Sequence, residues 1–236
     1  GVQTCALPIS DVERVALDVG GLAEGFAAGS ILVDMSTIAP ETARSLARHL
    51  SRQGVEMLDA PVSGGEQGAI AATLAIMVGG KAAVLERVRP LLECLGKTIV
   101  HVGDNGAGQV AKACNQTVMV GAIQAVAEAL HFAAAAGADP ARIRQALGGG
   151  SAGSRVLEVM GGRMVDRDFA AGVQARLHHK DYGVVLAEAC RLGVSMPVAA
   201  AVCQQLNALM AGGWGHSDTA SLLRVLESVA SAPCER

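Results

Sequence analysis

An excess of charge of one sign is missing from this sequence. Its 19 lysines and arginines are set against 22 aspartates and glutamates, giving a formal net charge of -3, and the two signs are interspersed. That leaves no basic face for nucleic acid and no like-charged block of the kind that forms a disordered tail. Its six cysteines (Cys5, Cys94, Cys114, Cys190, Cys203 and Cys234) include no C-x-x-C pair, so neither a zinc site nor a disulfide framework is indicated, and a reduced cytoplasmic compartment is the expectation. An uninterrupted membrane span is lacking too. The longest apolar stretch, VMVGAIQAVAEALHFAAAAGA, is broken by Gln124, Glu128 and His131, which a bilayer penalises and a buried soluble helix accommodates.

What is present is a large apolar fraction. Of 236 residues, 51% are hydrophobic and 17% charged, enough to build one large or two small globular cores. The first half alternates in character. ILVDMS (31–36) is a β-rich run, PETARSLARHLSRQG (40–54) has helical apolar spacing behind a first-turn proline, and VEMLDAP (55–61) is a second strand. TLAIMVGG (73–80), AAVLERVRPLLECLG (82–96) and TIVHVG (98–103) continue the alternation, so the chain to about residue 103 reads as part of a doubly wound α/β sheet. From Gly108 to Ala136 the only helix breaker is Gly121, which predicts one long helix between domains, roughly 40 Å in length. Helices near 140–147, 154–160, 176–192, 197–211 and 217–230 make the remainder all-α.

The segment GAGQVAKACNQ (106–116) poses a choice. GAGQVA satisfies G-x-G-x-x-G/A after a strand, but a dinucleotide fingerprint also needs a return strand and an acid about 20 residues on. Here the helix continues, and Glu128 sits within it. The lysine is the alternative focus: Lys112, Asn115 and Gln116 stand at i, i+3 and i+4 and share one helix face. A snorkelling lysine among solvated amides has the same spacing, so spacing does not decide. In DAPVSGGEQGA (59–69), Ser63, Gly64 and Gly65 follow a strand, where a hydroxyl and exposed backbone N–H groups could hold a carboxylate, although a plain glycine turn reads the same way. Ser36 and Thr37 stand at the carboxyl end of another strand, where ligands bind in open α/β sheets, and both are also ordinary helix caps.

Taken in order, DMSTIAPETA, DAPVSGGEQGA, GAGQVAKACNQ and HHKD resemble the β-hydroxyacid dehydrogenase family from about residue 11 to residue 230. The resemblance implies a partial Rossmann-type sheet (11–105) followed by a long interdomain helix and an all-α C-terminal domain (106–236). It implies an NAD- or NADP-dependent oxidoreductase that interconverts a small 3-oxo acid and its β-hydroxy acid, with no metal. Lys112 matches the family's catalytic lysine, Asn115 and Gln116 its neighbouring amides, and Ser63, Gly64 and Gly65 its carboxylate-holding loop; Ser36, Thr37 and Lys180 match positions near the nicotinamide. Burial would bring the lysine's pKa toward neutrality and make it a useful proton donor. Tartronate semialdehyde, reduced to glycerate, is the implied substrate, with the 3-hydroxyisobutyrate pair as the alternative and a non-catalytic nucleotide-binding or dimerisation module as a second. A cytoplasmic homo-oligomer, dimer or tetramer, is implied as well.

Three departures accompany the resemblance. Val173 stands where the family often has an aromatic residue, and KDY replaces the more usual KDL. His178 and His179 are adjacent and point apart on a helix, which makes them structural or surface residues rather than metal ligands. The family's opening strand, G-x-G-x-x-G turn and helix have no counterpart before DMST. Residues 1–10, GVQTCALPIS, look like a translated sequencing-library adapter and are expected to be foreign, against the alternative that they are the family's own strand ending in Leu-Pro. On the first view this chain alone is expected to be inactive and poorly soluble, and the residue that selects NAD or NADP lies in the missing segment.

Overall fold

In the computed structural model, which describes residues 9–230, the described residues open on two short helices, α1 (Ile9–Leu17) and α2 (Leu22–Gly25). The expected foreign segment, residues 1–10, lies outside the described residues except for its last two. The described chain divides into two compact units with the boundary between Asn115 and Gln116.

In the first unit, β1 (Ile31–Asp34) leads into α3 (Pro40–Ser51), which starts on proline at its first turn and buries Ala43, Leu46 and Leu50 along one face. Arg52–Gly54 then turn the chain, Gly54 taking a φ of +72°, so the helix stops short of the expected residue 54. β2 (Glu56–Asp59) returns parallel to β1, pairing Ile31 with Glu56 and Asp34 with Asp59. β3 (Val62–Ser63) follows and β4 (Leu74–Gly79) runs antiparallel to both, with Asp59 opposite Gly79, Val62 opposite Ile76 and Ser63 opposite Ala75. Those pairings keep one register, so β2 and β3 are a single strand whose ladder breaks at Pro61, a residue with no N–H to give. After α5 (Ala82–Glu93), β5 (Gly96–Gly103) lies parallel to β4.

The sheet is therefore mixed, and the reversal at β4 has a physical cause. Residues 64–73, which include only the six-residue α4 (Gly65–Ile70), are too few for the crossover of a dozen or more residues that a parallel return needs. Leu58, Leu74, Ile76 and Val78 pack with Leu85 and Leu92 of α5 on one side, while Met57 joins Leu46 and Leu50 of α3 on the other. Both sheet faces are thus covered by helices.

The long helix expected from Gly108 to Ala136 is α6 (Ala107–Ala135). By length and composition it could cross a membrane, but in the second unit Val120, Ile123, Ala127 and Leu130 line a helical core. That core is completed by α7 (Pro140–Gly148), α8 (Arg155–Val165), α9 (Ala175–Leu192), α10 (Pro197–Ala211), a 3-10 turn (Thr219–Ser221) and α11 (Leu222–Ala230). Tyr182, Leu206, Leu209 and Leu222 are fully buried within it. Side-chain caps start two of these helices: Asp139 accepts from Ala141 N–H and Ser154 from Leu157 N–H. α8 runs on to Val165 although the glycine pair 161–162 reads as its end. A Cβ at Gly161 would meet Arg144 Cδ at 3.2 Å and Val126 Cγ1 at 3.3 Å, so this glycine admits α6 and α7 to close packing instead of stopping the helix.

Candidate active site

The parallel strands β1 and β2 end side by side in two aspartates, Asp34 and Asp59, that the fold buries. Asp59, fully buried, accepts from Gly106 N–H at 2.7 Å (Oδ1) and from Gln109 N–H at 3.1 Å (Oδ2), so it caps the start of α6 from β2. Asp34 accepts from Ser36 N–H at 3.0 Å through Oδ1, and its buried Oδ2 has no hydrogen-bond partner. Burial pushes both carboxyls up from the usual range. For Asp34 the Ser36 N–H opposes the rise; for Asp59 the Gly106 and Gln109 N–H groups oppose it, and the neighbouring Asp34 charge adds to it.

A carboxyl whose folded-state pKa lies above its unfolded value contributes stability at low pH that is lost as pH rises through the folded pKa. Asp34→Asn removes that loss and keeps an oxygen for Ser36 N–H. The thermal midpoint of the variant, relative to the parent, is expected to climb as pH is raised from about 4 to about 8. A flat difference across the series would show that Asp34 does not titrate in this range in the folded protein.

Lys112 lies on α6 with only 8% of its surface exposed, and its Nζ donates to the Val62 carbonyl at 2.8 Å. The structure thus brings the lysine to Val62, the first residue of β3, one residue before Ser63. Gly64 takes φ +140° and Gly65 φ +62°, conformations open to glycine, and a Cβ at Gly64 would lie 3.0 Å from Leu74 Cδ2. The loop after β1 is tied to the same helix: buried Gln109 accepts from Ile38 N–H at 3.1 Å and donates to the Ser36 carbonyl at 2.8 Å, on either side of Thr37.

Asn115 follows Lys112 on the same helix, half-buried. Gln116 is buried in the second unit, where its Nε2 donates to Asp181 Oδ2 at 2.6 Å; Lys180 Nζ lies 3.2 Å from Asp181 Oδ1. Tyr182, which replaces the family's usual leucine, is fully buried, and its hydroxyl donates to the Thr117 carbonyl at 3.1 Å. Burial raises its phenol to about 12. The expected structural roles of the histidines match the geometry. His178 pairs with Thr219 Oγ1 at 2.7 Å in the core, and His179 with Asn207 Oδ1 at 2.8 Å at the surface. Asp218 caps the 3-10 turn through Ala220 N–H and also accepts from Gly172 and Val173 N–H.

Sequence reading missed Asp34, Asp59, Gln109 and Asp181. Asp34 and Asp59 each lie within an expected strand and open one of the motifs that carry the resemblance, a signal that was available. Gln109 and Asp181 carried none, because their partners lie 71 and 65 residues away.

The glycines of GAGQVA also acquire a function here. Gly106 takes φ +88°, and a Cβ on it would meet Arg44 and the Pro40 carbonyl at 2.9 Å; a Cβ on Gly108 would strike the carbonyls of Asp59 and Met77. They let a helix start against strand backbone, which is a packing role.

Residues 106–226 match the family described as NAD-binding of NADP-dependent 3-hydroxyisobutyrate dehydrogenase, and residues 2–103 match the NAD binding domain of 6-phosphogluconate dehydrogenase. The chain is 48% identical over 221 residues to 2-hydroxy-3-oxopropionate reductase of Escherichia coli, covering 93% of this chain and 75% of that protein. It is 42% identical over 196 residues to 3-hydroxyisobutyrate dehydrogenase of Pseudomonas aeruginosa, covering 80% and 66%. Among solved structures, Mycobacterium tuberculosis 3-hydroxyisobutyrate dehydrogenase with L-serine superposes with a TM-score of 0.84 at 30% identity, covering 93% of this chain and 77% of that one. With a Rossmann-type sheet leading through a long helix into an all-α domain, and with both halves matched, the chain belongs to the 3-hydroxyisobutyrate dehydrogenase-like family of β-hydroxyacid dehydrogenases and is an oxidoreductase using NAD or NADP.

Proposed function

We propose that the enzyme reduces tartronate semialdehyde to glycerate, with Lys112 as general acid and, in the reverse direction, as general base. The observation that carries this reading is the buried Lys112 Nζ on the Val62 carbonyl, beside Ser63. A buried amine facing a polar loop is an unfavourable arrangement for stability alone and a useful one for proton transfer. The Ser63 hydroxyl with the Gly64–Gly65 backbone is assigned the substrate carboxylate, which sets the neighbouring carbonyl carbon within reach of the lysine. Asn115, half-buried on the same helix, would orient the reacting groups.

The edge formed by β1 and β2 fits the dinucleotide. Ligands of open α/β sheets sit beyond strand carboxyl ends, and the buried, unpartnered Asp34 Oδ2 is an acceptor for a hydroxyl or amide donor there. Ser36 and Thr37 would hold its nicotinamide end. When bound, the reduced cofactor supplies the hydride that goes to the aldehyde carbon. Lys112 gives its proton to the carbonyl oxygen as negative charge develops there, and bulk water returns that proton to the amine after the alcohol leaves.

The substrate assignment follows the more similar relative, and the 3-hydroxyisobutyrate pair is the second reading because a second relative and one matched family act on it. The two aldehydes differ by a hydroxyl against a methyl, and a site that hydrogen-bonds the hydroxyl rejects the methyl analogue strongly. With protein expressed from its complete gene, NADH and NADPH oxidation are measured with tartronate semialdehyde and with methylmalonate semialdehyde. Higher kcat/KM for the first is the expected result; higher kcat/KM for the second would replace the assignment.

Among the described residues Cys94, Cys114, Cys190 and Cys203 are free thiols, which is consistent with a reducing, cytoplasmic compartment. Val118 and Phe132, each about three-quarters exposed on α6, are apolar surface that supports a homo-oligomer, since a second subunit would cover them.

A further inference from the structure

Gln109 is 1% exposed and lies three residues before Lys112 on α6. A buried carboxamide is costly unless both of its ends are paired. Both ends of Gln109 are paired, and to one loop. Its Oε1 accepts from Ile38 N–H at 3.1 Å and its Nε2 donates to the Ser36 carbonyl at 2.8 Å, so the two bonds bracket Thr37. The backbone of Gln109 is meanwhile fixed from β2, its N–H donating to Asp59 Oδ2 at 3.1 Å while Gly106 N–H takes Oδ1 at 2.7 Å. One residue thus ties the ends of two neighbouring strands to the first turn of the helix that carries the lysine.

We propose that Gln109 is a positioning residue: its carboxamide clamps the loop after β1 to α6, presenting Ser36 and Thr37 to the cofactor and fixing them relative to Lys112. This rests on the reading that the loop contacts the cofactor and that Lys112 transfers the proton. The residue has to be both donor and acceptor, and it has to be neutral. Asp59 of β2 accepts from Gln109's own N–H and Asp34 pairs with it on β1, while Lys112 of α6 and Arg44 of α3, which packs beside Gly106, bring positive charge. A glutamate at 109 would set a third carboxylate among the acids and turn an oxygen toward the Ser36 carbonyl. Once protonated it would again offer one acceptor and one O–H donor.

The test uses Gln109→Leu and Gln109→Glu in protein expressed from its complete gene, with dissociation constants of NADH and NADPH read by fluorescence in the absence of substrate. Losing two buried hydrogen bonds is expected to weaken binding of the preferred cofactor roughly ten- to hundred-fold in Gln109→Leu at every pH. Gln109→Glu is expected to bind as weakly at about pH 8 and to recover toward the parent, compared at the same pH, as the carboxyl protonates toward about pH 5.5. Parent-like affinity of both variants at about pH 8 would overturn the clamp. A loss in Gln109→Glu that ignores pH would also overturn it, since the side chain would then only fill space. If Gln109→Leu does not fold, the pH series of Gln109→Glu decides alone. Lys112→Ala, measured alongside, separates the two readings. Turnover that survives in it would refute the lysine's role, and the cofactor affinities of the Gln109 variants would still report on the clamp.

Discussion

Lys112→Ala is expected to lower kcat roughly 10²- to 10⁴-fold, the range that a positioned general acid contributes, while leaving the dissociation constants of NADH and NADPH close to those of the parent. The reason for the split is geometric. Lys112 Nζ points to the Val62 carbonyl in β3, whereas the loop after β1 is bound to α6 through Gln109. Removing the amine takes away its hydrogen bond to the Val62 carbonyl, a loss of roughly 1.5–3 kcal/mol for a charged donor, which lies within the stability of a typical domain, so the variant should remain folded. The measurement is steady-state kinetics beside direct cofactor titration. A variant that keeps parent turnover would show that the proton comes from elsewhere. One that loses cofactor affinity in step with turnover would make the lysine a structural element of the nucleotide site.

The second large effect concerns folding. Gly108→Ala should destabilise the protein by about 3 kcal/mol or more, because its new methyl has nowhere to go. An ideal Cβ at residue 108 would lie well inside contact distance of the Asp59 carbonyl, 2.5 Å from that of Met77 and 2.9 Å from Asp59 Oδ2. Two of these three neighbours are strand backbone, which cannot swing aside as a side-chain tip can. The first turn of α6 would have to lift, breaking the bonds from Asp59 to Gly106 and Gln109. Gly121→Ala, on the same helix, is the matched control. Nothing lies within 4 Å of the place its methyl would take, so the ordinary helical preference for alanine should raise stability by about 0.5–1 kcal/mol. Chemical denaturation of both variants reads the contrast, and a Gly108→Ala protein as stable as the parent would refute the packing role of GAGQVA.

These glycines show how a sequence can be read correctly in pattern and still leave its purpose open. The spacing G-x-G-x-x-A is the same whether the missing side chains make room for a pyrophosphate or for a strand. The acid expected about 20 residues on was missing from the strand position a fingerprint needs, which argued against the first use. Nothing local announced the second. Gly161 is a similar case: beside Gly162 it reads as the end of a helix, and only the approach of Arg144 and Val126 shows why the helix continues through it. The direction of β4, by contrast, was open to inference, since the short connection 64–73 leaves no length for a parallel crossover.

Periodicity and caps act within a few residues, and so the sequence by itself determined the elements: the alternating strands and helices of the first half, the uninterrupted α6, and the shared face of Lys112, Asn115 and Gln116. The pairing of polar groups was decided by tertiary structure. Lys112 turns to Val62, 50 residues back, and Gln116 to Asp181, 65 residues on, although they are neighbours on one helix. A buried lysine, glutamine or aspartate must have a partner because leaving it alone in the interior costs several kcal/mol. Its identity states that need, and only the packing of strands and helices distant in sequence supplies the group that meets it.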